Sequence, residues 1–329
     1  MKHLGLIFLS LAILGPLAAP PASAAQMPDA ETIVLDAKDI AELNVRTIEE
    51  LLNLIPGVKA GSSSVSIRGD YSVVVVLDGM SLINTASATK AVKWELVSLE
   101  DIASLKLIKG GGAVAFGDNS SGGAIIIKSK SVDRTKASLS LEGGNQNYWR
   151  TQGNASRKAG PWGIAFNGDF YSTDGYRRNG DKDSGRAGFK LSYAPEAWFR
   201  WAGPDSAAPT LAVDFGETRK GNAGRPKYPT PHARSRDEAL GASFNFMAMG
   251  WKSATSFTRF QNDHTNPDSN IYTKLHSWTI KEDLRKSFEM PWLGLVDTGL
   301  MASHTQAQGN KVKPVEEQSY GIFGQKRIK

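Results

Sequence analysis

The 329-residue chain has no cysteine. This excludes a disulfide scaffold, a thiolate zinc or iron–sulfur centre and a cysteine nucleophile. Histidine is scarce, with five residues: His3, His232, His264, His276 and His304. No two stand three or four apart, so a helical HExxH-type metal site is excluded. No GxSxG nucleophile elbow occurs either. No apolar run reaches the ~20 residues that a membrane-crossing helix needs. The expectation is a non-enzyme that requires no cofactor or metal. What the chain does have is glycine, 33 residues of it, together with 13 Phe, 8 Trp and 8 Tyr. Glycine above the usual ~7 %, with many aromatics, suits a turn-rich β protein.

Residues 1–25 read as a secretory signal peptide. Lys2 and His3 start it, Leu4–Leu17 is its apolar stretch, and Ala22-Ser23-Ala24 supplies small residues for cleavage. An exported protein without cysteine suits a bacterial envelope. Charge then divides the remainder. Residues 26–130 carry 10 Lys+Arg against 13 Asp+Glu, and residues 131–329 carry 28 against 20. The imbalance predicts two modules. Nucleic acid is not expected as a partner of the basic half, because the protein is exported. Envelope lipid phosphate or an anionic ligand is the expected counterpart.

Within residues 26–130 the pattern is α/β. Glu31–Leu35 reads as a short strand. Thr47 and Glu50 form a capping box, and Ile48, Leu51, Leu52 and Ile55 follow at helical spacing up to Pro56-Gly57. Val65–Arg68 and the wholly apolar Val73–Leu77 read as strands, the latter closed by the turn pair Asp78-Gly79. A helical turn at Leu99–Ala103, a strand at Ser104–Ile108, a glycine loop at Gly110–Gly123 and a strand at Ala124–Ile127 complete the module. The glycine loop is not a nucleotide cradle. Asp118 stands where a P-loop has its lysine, and a strand follows where a dinucleotide site needs a helix amino terminus.

Five stretches in order resemble the plug domain of TonB-dependent outer-membrane receptors. They are Leu51–Val58 ("LLNLIPGV"), Ser66–Gly69 ("SIRG"), Val74–Met80 ("VVVLDGM"), Leu99–Gly110 ("LEDIASLKLIKG") and Phe116-Gly117 with Ser121–Ile127. The resemblance implies that Pro56, Gly57, Arg68, Gly69, Asp78, Gly79, Gly110, Gly117, Gly122 and Gly123 are plug-motif positions. It also implies a TonB complex of the inner membrane as partner, acting through a short extended TonB box. Glu31, Thr32, Ile33, Val34 and Leu35 resemble such a box in letters, yet they also lie where the first plug strand belongs. Energised transport depends on which role they serve. The sequence departs from the family pattern at Gly110-Gly111-Gly112, Phe116 and Ile126.

Residues 131–329 show period-two alternation. Trp162, Ile164, Phe166 and Phe170 alternate with polar or small residues, as do Ala187–Tyr193, Leu211–Phe215 and Leu240–Ala248. A soluble β-sandwich would give the same letters. Connection lengths favour an outer-membrane barrel, with short breaks at Gly160-Pro161 and Met249–Trp251 and long ones at Thr173–Asp183 and Thr218–Arg236. Ala194–Pro209 violates this parity, being long on the expected periplasmic side. The loop Thr218–Arg236 offers Arg219, Lys220, Arg225 and Lys227 as candidate contacts to an anionic ligand or lipid.

The expected fold is therefore an α+β plug domain (26–130) followed by antiparallel transmembrane β-barrel strands (131–329). The second part holds about ten strands, whereas plugged receptors are implied to have about 22. The expectation is an incomplete barrel, the amino-terminal portion of a receptor. The implied function is uptake of a bulky scarce ligand, a metal chelate such as a ferric siderophore or a vitamin such as cobalamin, at the Gram-negative outer membrane. The alternative is a non-transporting periplasmic plug or ligand-binding protein, or a truncated gene product.

Overall fold

The computed structural model describes residues 31–87, 90–110, 120–203, 206–290 and 294–327. The signal peptide expected at residues 1–25 lies outside them, as does Gly117.

The first part begins with β1 (Thr32–Asp36), α1 (Ala37–Glu42), α2 (Ile48–Asn53), β2 (Val58–Gly61), β3 (Ser64–Ile67), β4 (Val73–Leu77) and β5 (Met80–Ser81). Two 3₁₀ turns, Trp94–Leu96 and Leu99–Asp101, lead to β6 (Ile102–Lys109) and β7 (Gly123–Ser129). Five strands form one sheet in the order β1-β6-β7-β4-β5, with β4 and β7 parallel. Strands β2 and β3 make a separate hairpin.

Local chemistry explains the helices. Thr47 accepts the Glu50 amide at 3.2 Å, as the capping pattern predicts. The Glu50 carboxylate, however, accepts the Arg46 amide at 2.8 Å, one residue before the cap. Helix α1 carries a complete capping box that the sequence reading passed over, with Asp36 accepting the amides of Lys38 and Asp39 and Asp39 accepting that of Asp36. Ile48, Leu51, Leu52 and Ile55 are all buried, so the predicted helical stripe is the core face of α2. They pack with Val75, Leu77, Leu105, Leu107, Ile125 and Ile127. Each such side chain contributes roughly 1.5–3 kcal/mol of burial. Asp78 (φ 48°) and Gly79 (φ 85°) form the two-residue turn between β4 and β5.

The second part is one ten-stranded antiparallel meander. Its strands are β8 (Lys136–Gly143), β9 (Trp149–Ala159), β10 (Trp162–Thr173), β11 (Lys182–Tyr193), β12 (Ala207–Gly221), β15 (Arg234–Ala248), β16 (Trp251–Asn266), β17 (Ile271–Met290), β18 (Gly294–Gly309) and β19 (Val315–Arg327). A short helix, α3 (Glu196–Ala202), separates β11 from β12, and a small hairpin of β13 (Gly224–Arg225) and β14 (Tyr228–Pro229) separates β12 from β15. The expected loop Thr218–Arg236 is thus shorter than predicted. Arg219 and Lys220 belong to β12, and Arg234 and Arg236 to β15.

The faces of this sheet decide its class. Leu139, Leu141, Trp162, Ile164, Phe166, Phe170, Phe215, Phe244 and Ile280 are exposed. Arg150, Gln152, Asp169, Arg186, Lys190, Asp214 and Asp237 are buried on the opposite face, against the first part. A soluble sandwich buries its apolar set. Apolar outside and polar inside is the pattern of a membrane barrel wall. The connections agree, with two-residue turns at 160–161 and 249–250 on one end and longer segments at 174–181 and 222–233 on the other. The exception at 194–206 holds α3.

Candidate functional site: the interface between the small domain and the wall

The inner face of the wall grips the small domain through charge. Arg150 pairs with Asp169, Nε to Oδ1 at 2.9 Å, and donates from Nη1 to the Arg46 carbonyl at 2.6 Å. Gln152 completes the group, donating to Asp169 at 3.1 Å. Arg186 donates to Asp214 at 2.6 Å, to Asn167 at 2.5 Å and to the Leu96 carbonyl at 2.9 Å. Lys93 reaches the other way, from the small domain to Asp237 of β15, at 2.9 Å. Asn262 also donates to Asp237, and Lys220 stands 3.7 Å away. Lys190 donates to the Lys130 carbonyl at 2.8 Å and to the Ser129 hydroxyl. Asn245 donates to the Asp78 carbonyl at 2.9 Å, and Ser277 to Asn84 at 3.0 Å.

These contacts have a common logic. Buried ion pairs roughly break even against apolar substitutes, but each is costly once one partner is removed. Such an interface holds position while contributing little net adhesion. Apolar contact is limited to a few side chains, with Ala239 and Phe260 of the wall joining the small domain's core. Met80 lies against Gly241, where a Cβ would come within 2.3 Å of its sulfur.

Glu95 is a buried carboxylate that this interface leaves partly unsatisfied. One of its carboxylate oxygens is buried without a hydrogen-bond partner. It lines a cleft of about 70 Å³ together with Arg46, Arg150, Lys182 and Arg186. Burial pushes its pKa above the ordinary 4.5, against the pull of Lys93. A carboxyl whose folded pKa is raised stabilises the fold most when protonated, and that contribution is lost as pH rises through the folded value. Glu95→Gln is therefore expected to stabilise the protein by about 1 kcal/mol at neutral pH, a typical cost of an unsatisfied buried group. It should also flatten the decline in stability above pH 4.5. Urea unfolding of the reconstituted protein across pH measures both.

Apart from Gly117, the predicted plug-motif positions lie at turns and strand ends of the small domain. Pro56 and Gly57 end the α2 segment, and the Gly57 carbonyl accepts the Arg68 amide at 2.6 Å. Arg68 (φ 52°) turns the chain with Gly69 and pairs with Glu31 at 2.8 Å. Asp78 accepts the Ser129 amide at 2.9 Å, tying the β4 turn to the end of β7. Gly79 seats that turn on the wall, since a Cβ there would lie 2.7 Å from the Ala254 Cβ. The Gly110 amide donates to the Gly122 carbonyl at 3.2 Å, and Gly122 in turn donates to Ser72. Gly123 opens β7. Thr32, Ile33, Val34 and Leu35 form the edge strand β1, paired with Ile108 to Leu105 of β6. Glu31, just ahead of it, accepts from Lys109 as well as Arg68, and the Lys109 bond foremost lowers its pKa.

The four cations proposed for one anionic contact do not converge. Lys220 faces inward to Asp237, whereas Arg219 pairs with Glu217 at 2.6 Å. Arg225 and Lys227 sit on or beside the exposed β13–β14 hairpin, with Lys227 over the Tyr228 ring. Among the described residues no cluster of three His, Asp or Glu is gathered for a metal. The inward ion pairs escaped the sequence reading. Their only local trace is a charged residue at the polar phase of each alternating strand, as at Asp169, Arg186, Asp214 and Asp237.

A buried-polar wall wrapped on a small α+β domain defines a class, and comparison with known proteins agrees. Residues 24–124 match the TonB-dependent receptor plug domain family. The chain resembles the TonB-dependent outer-membrane receptors, including those for siderophores and cobalamin, with the fold of a plug domain followed by part of a barrel wall. It is 32% identical over 168 residues to the vitamin B12 transporter BtuB of Vibrio vulnificus (strain YJ016), covering 46% of this chain and 26% of that protein. The alcaligin outer-membrane receptor FauA of Bordetella pertussis superposes with TM-score 0.67 at 16% identity, over 91% of this chain and 52% of that one. The unliganded ferric citrate transporter FecA gives TM-score 0.65 at 17% identity, over 90% and 52%. The chain thus spans about half the length of these solved receptors and about a quarter of the curated relative. These relatives are transporters and receptors, not enzymes.

Proposed function

We propose that the chain forms the plug (26–130) and the amino-terminal part of the barrel (131–329) of a Gram-negative outer-membrane receptor. In this reading it serves uptake of a bulky scarce ligand of the ferric-siderophore or cobalamin type. The observation that carries the proposal is the wall's reversed polarity combined with a domain held inside it by ion pairs and carbonyl contacts. The plug closes the lumen, and an energised TonB complex displaces it. Edge strand β1, which among the described residues has one neighbour in the small sheet, is the segment proposed to meet TonB. Outer-membrane lipid covers the apolar face of the wall.

Fractionation of cells expressing the chain tests this reading. The protein is expected in the outer-membrane fraction, resistant to urea washing. Cells in which the remaining strands of the barrel are supplied alongside should also retain labelled cyanocobalamin or a ferric chelate in a manner abolished by a protonophore. Release by osmotic shock as soluble protein would instead support the periplasmic, non-transporting alternative.

A further inference from the structure

Helix α3 lies on the end of the wall that carries the two-residue turns, the periplasmic end by connection length. It has the sequence Glu-Ala-Trp-Phe-Arg-Trp-Ala. Three aromatic residues within seven is a heavy apolar load for a connection expected to be brief. Two of them are largely open to the surroundings, Trp201 61% exposed and Phe199 40%, although the Trp201 ring meets that of Trp198 at 5.5 Å.

The helix is anchored at both ends. The Ala194 amide donates to the Pro161 carbonyl in the β9–β10 turn at 2.7 Å. The Met249 amide, in the β15–β16 turn, donates to the Ala202 carbonyl at 2.7 Å. Trp198 fixes the middle, its ring meeting Phe246 edge-on at 6.4 Å and its indole N–H donating to the Ala207 carbonyl at 3.2 Å. Phe246 shares its strand face with exposed Phe244, the outward face of the wall. The helix therefore rests on the outside of the wall, at its rim.

The neighbouring rim is aromatic as well. Trp162 and Tyr193 meet at 4.4 Å, and exposed Trp251 carries the Lys286 ammonium 4.9 Å above its ring. Indole and phenol rings prefer the membrane–water boundary, where an apolar body and a polar edge are both satisfied. Arg200, exposed on the same helix, and Lys286 beside Trp251 offer cations at the level of lipid phosphate. Phe199 and Trp201 lie about 200° apart on the helix and flank its wall-facing Trp198 and Ala202, so the two apolar flanks of α3 adjoin the lipid-facing band of the wall.

We propose that α3 is an interfacial anchor whose Phe199 and Trp201 enter the periplasmic leaflet of the outer membrane, with Arg200 on phospholipid phosphate. It fixes the depth of the β11–β12 end and explains why this periplasmic connection is long. The inference rests on the wall spanning the membrane, and the test separates the two. Because the chain has no cysteine, a single introduced cysteine gives a unique nitroxide site. Phe199→Cys and Trp201→Cys are labelled in the full chain reconstituted in phospholipid vesicles. Ile280→Cys serves as the mid-wall control and Tyr176→Cys as the external-loop control. Labels at 199 and 201 are expected to collide with dissolved oxygen more than with an aqueous nickel chelate, as at 280 and unlike 176. If 280 is lipid-exposed but 199 and 201 respond like 176, or are shielded from both agents by protein, the anchor is overturned and the wall reading stands. If 280 is also water-exposed, both fall. An unlabelled check uses Trp201→Phe. The tryptophan emission lost with this change should be quenched more strongly by lipid brominated near the headgroup than near the chain end. Equal indifference to both lipids would overturn the anchor.

Discussion

Replacing Lys93 by methionine is expected to destabilise the assembly of plug and wall by about 3–5 kcal/mol, the typical cost of leaving a buried charge without its partner. Lys93 is 2% exposed and its ammonium lies 2.9 Å from Asp237, itself buried. Methionine keeps the length and apolar stem of lysine, so little packing is lost. What is left is the Asp237 carboxylate, faced by Asn262 and by Lys220 at 3.7 Å. Lys220 limits the loss to the lower part of the range. The double variant Lys93→Met, Asp237→Leu should recover most of the stability, because removing both charges also removes both desolvation penalties. Urea unfolding of the single and double variants in detergent micelles measures the coupling. If Lys93→Met alone is neutral, the pair does not hold the plug to the wall.

That pair also shows how far the sequence was legible. Period and turn chemistry act over a few residues, and what they govern was readable. The stripe Ile48, Leu51, Leu52, Ile55 became the core face of α2. The run Val73–Leu77 became β4, with Asp78-Gly79 as its turn. Alternation in Trp162–Phe170 became a wall strand, and the strand count near ten was right because membrane strands have a fixed minimum length. Helix α1 shows no apolar stripe in the sequence because only Ile40 of its six residues is buried, although Asp36 and Asp39 carry its capping signal. The segment Thr218–Arg236 reads as a longer loop than it forms for a related reason. Apolar alternation fades as β12 and β15 approach the end of the wall, while hydrogen-bonded pairing continues as far as Gly221 and Arg234. The contact of Lys93 with Asp237 joins residues 144 apart in sequence. No local pattern specifies which inward charge a plug residue will meet, since that depends on how the sheet curves around it.

Glycine 123 makes the sharpest demand on a single side chain. Its φ of +137° is a backbone state that side chains strain to adopt. A Cβ there would stand 2.2 Å from the Ile108 carbonyl oxygen and 2.9 Å from Ile67 Cδ1. Ile108 lies in β6, directly opposite Ala124 of β7, and β7 also pairs in parallel with β4. The oxygen cannot yield without parting the two central strands of the plug sheet. Gly123→Ala is therefore expected to cost about 3 kcal/mol or more, the strain of an unfavourable backbone joined to overpacking. Gly110 provides the contrast. It also has positive φ, +82°, but no atom of the described residues lies within 4 Å of a Cβ placed there. Gly110→Ala should cost only about 1 kcal/mol, the left-handed penalty alone. Limited trypsin digestion in micelles separates the two outcomes. Gly123→Ala should expose the plug to cleavage while the wall retains its resistance, and Gly110→Ala should leave both protected. Equal protection of the two variants would mean that β6 can move aside, and that the plug sheet is softer at this edge than its buried residues imply.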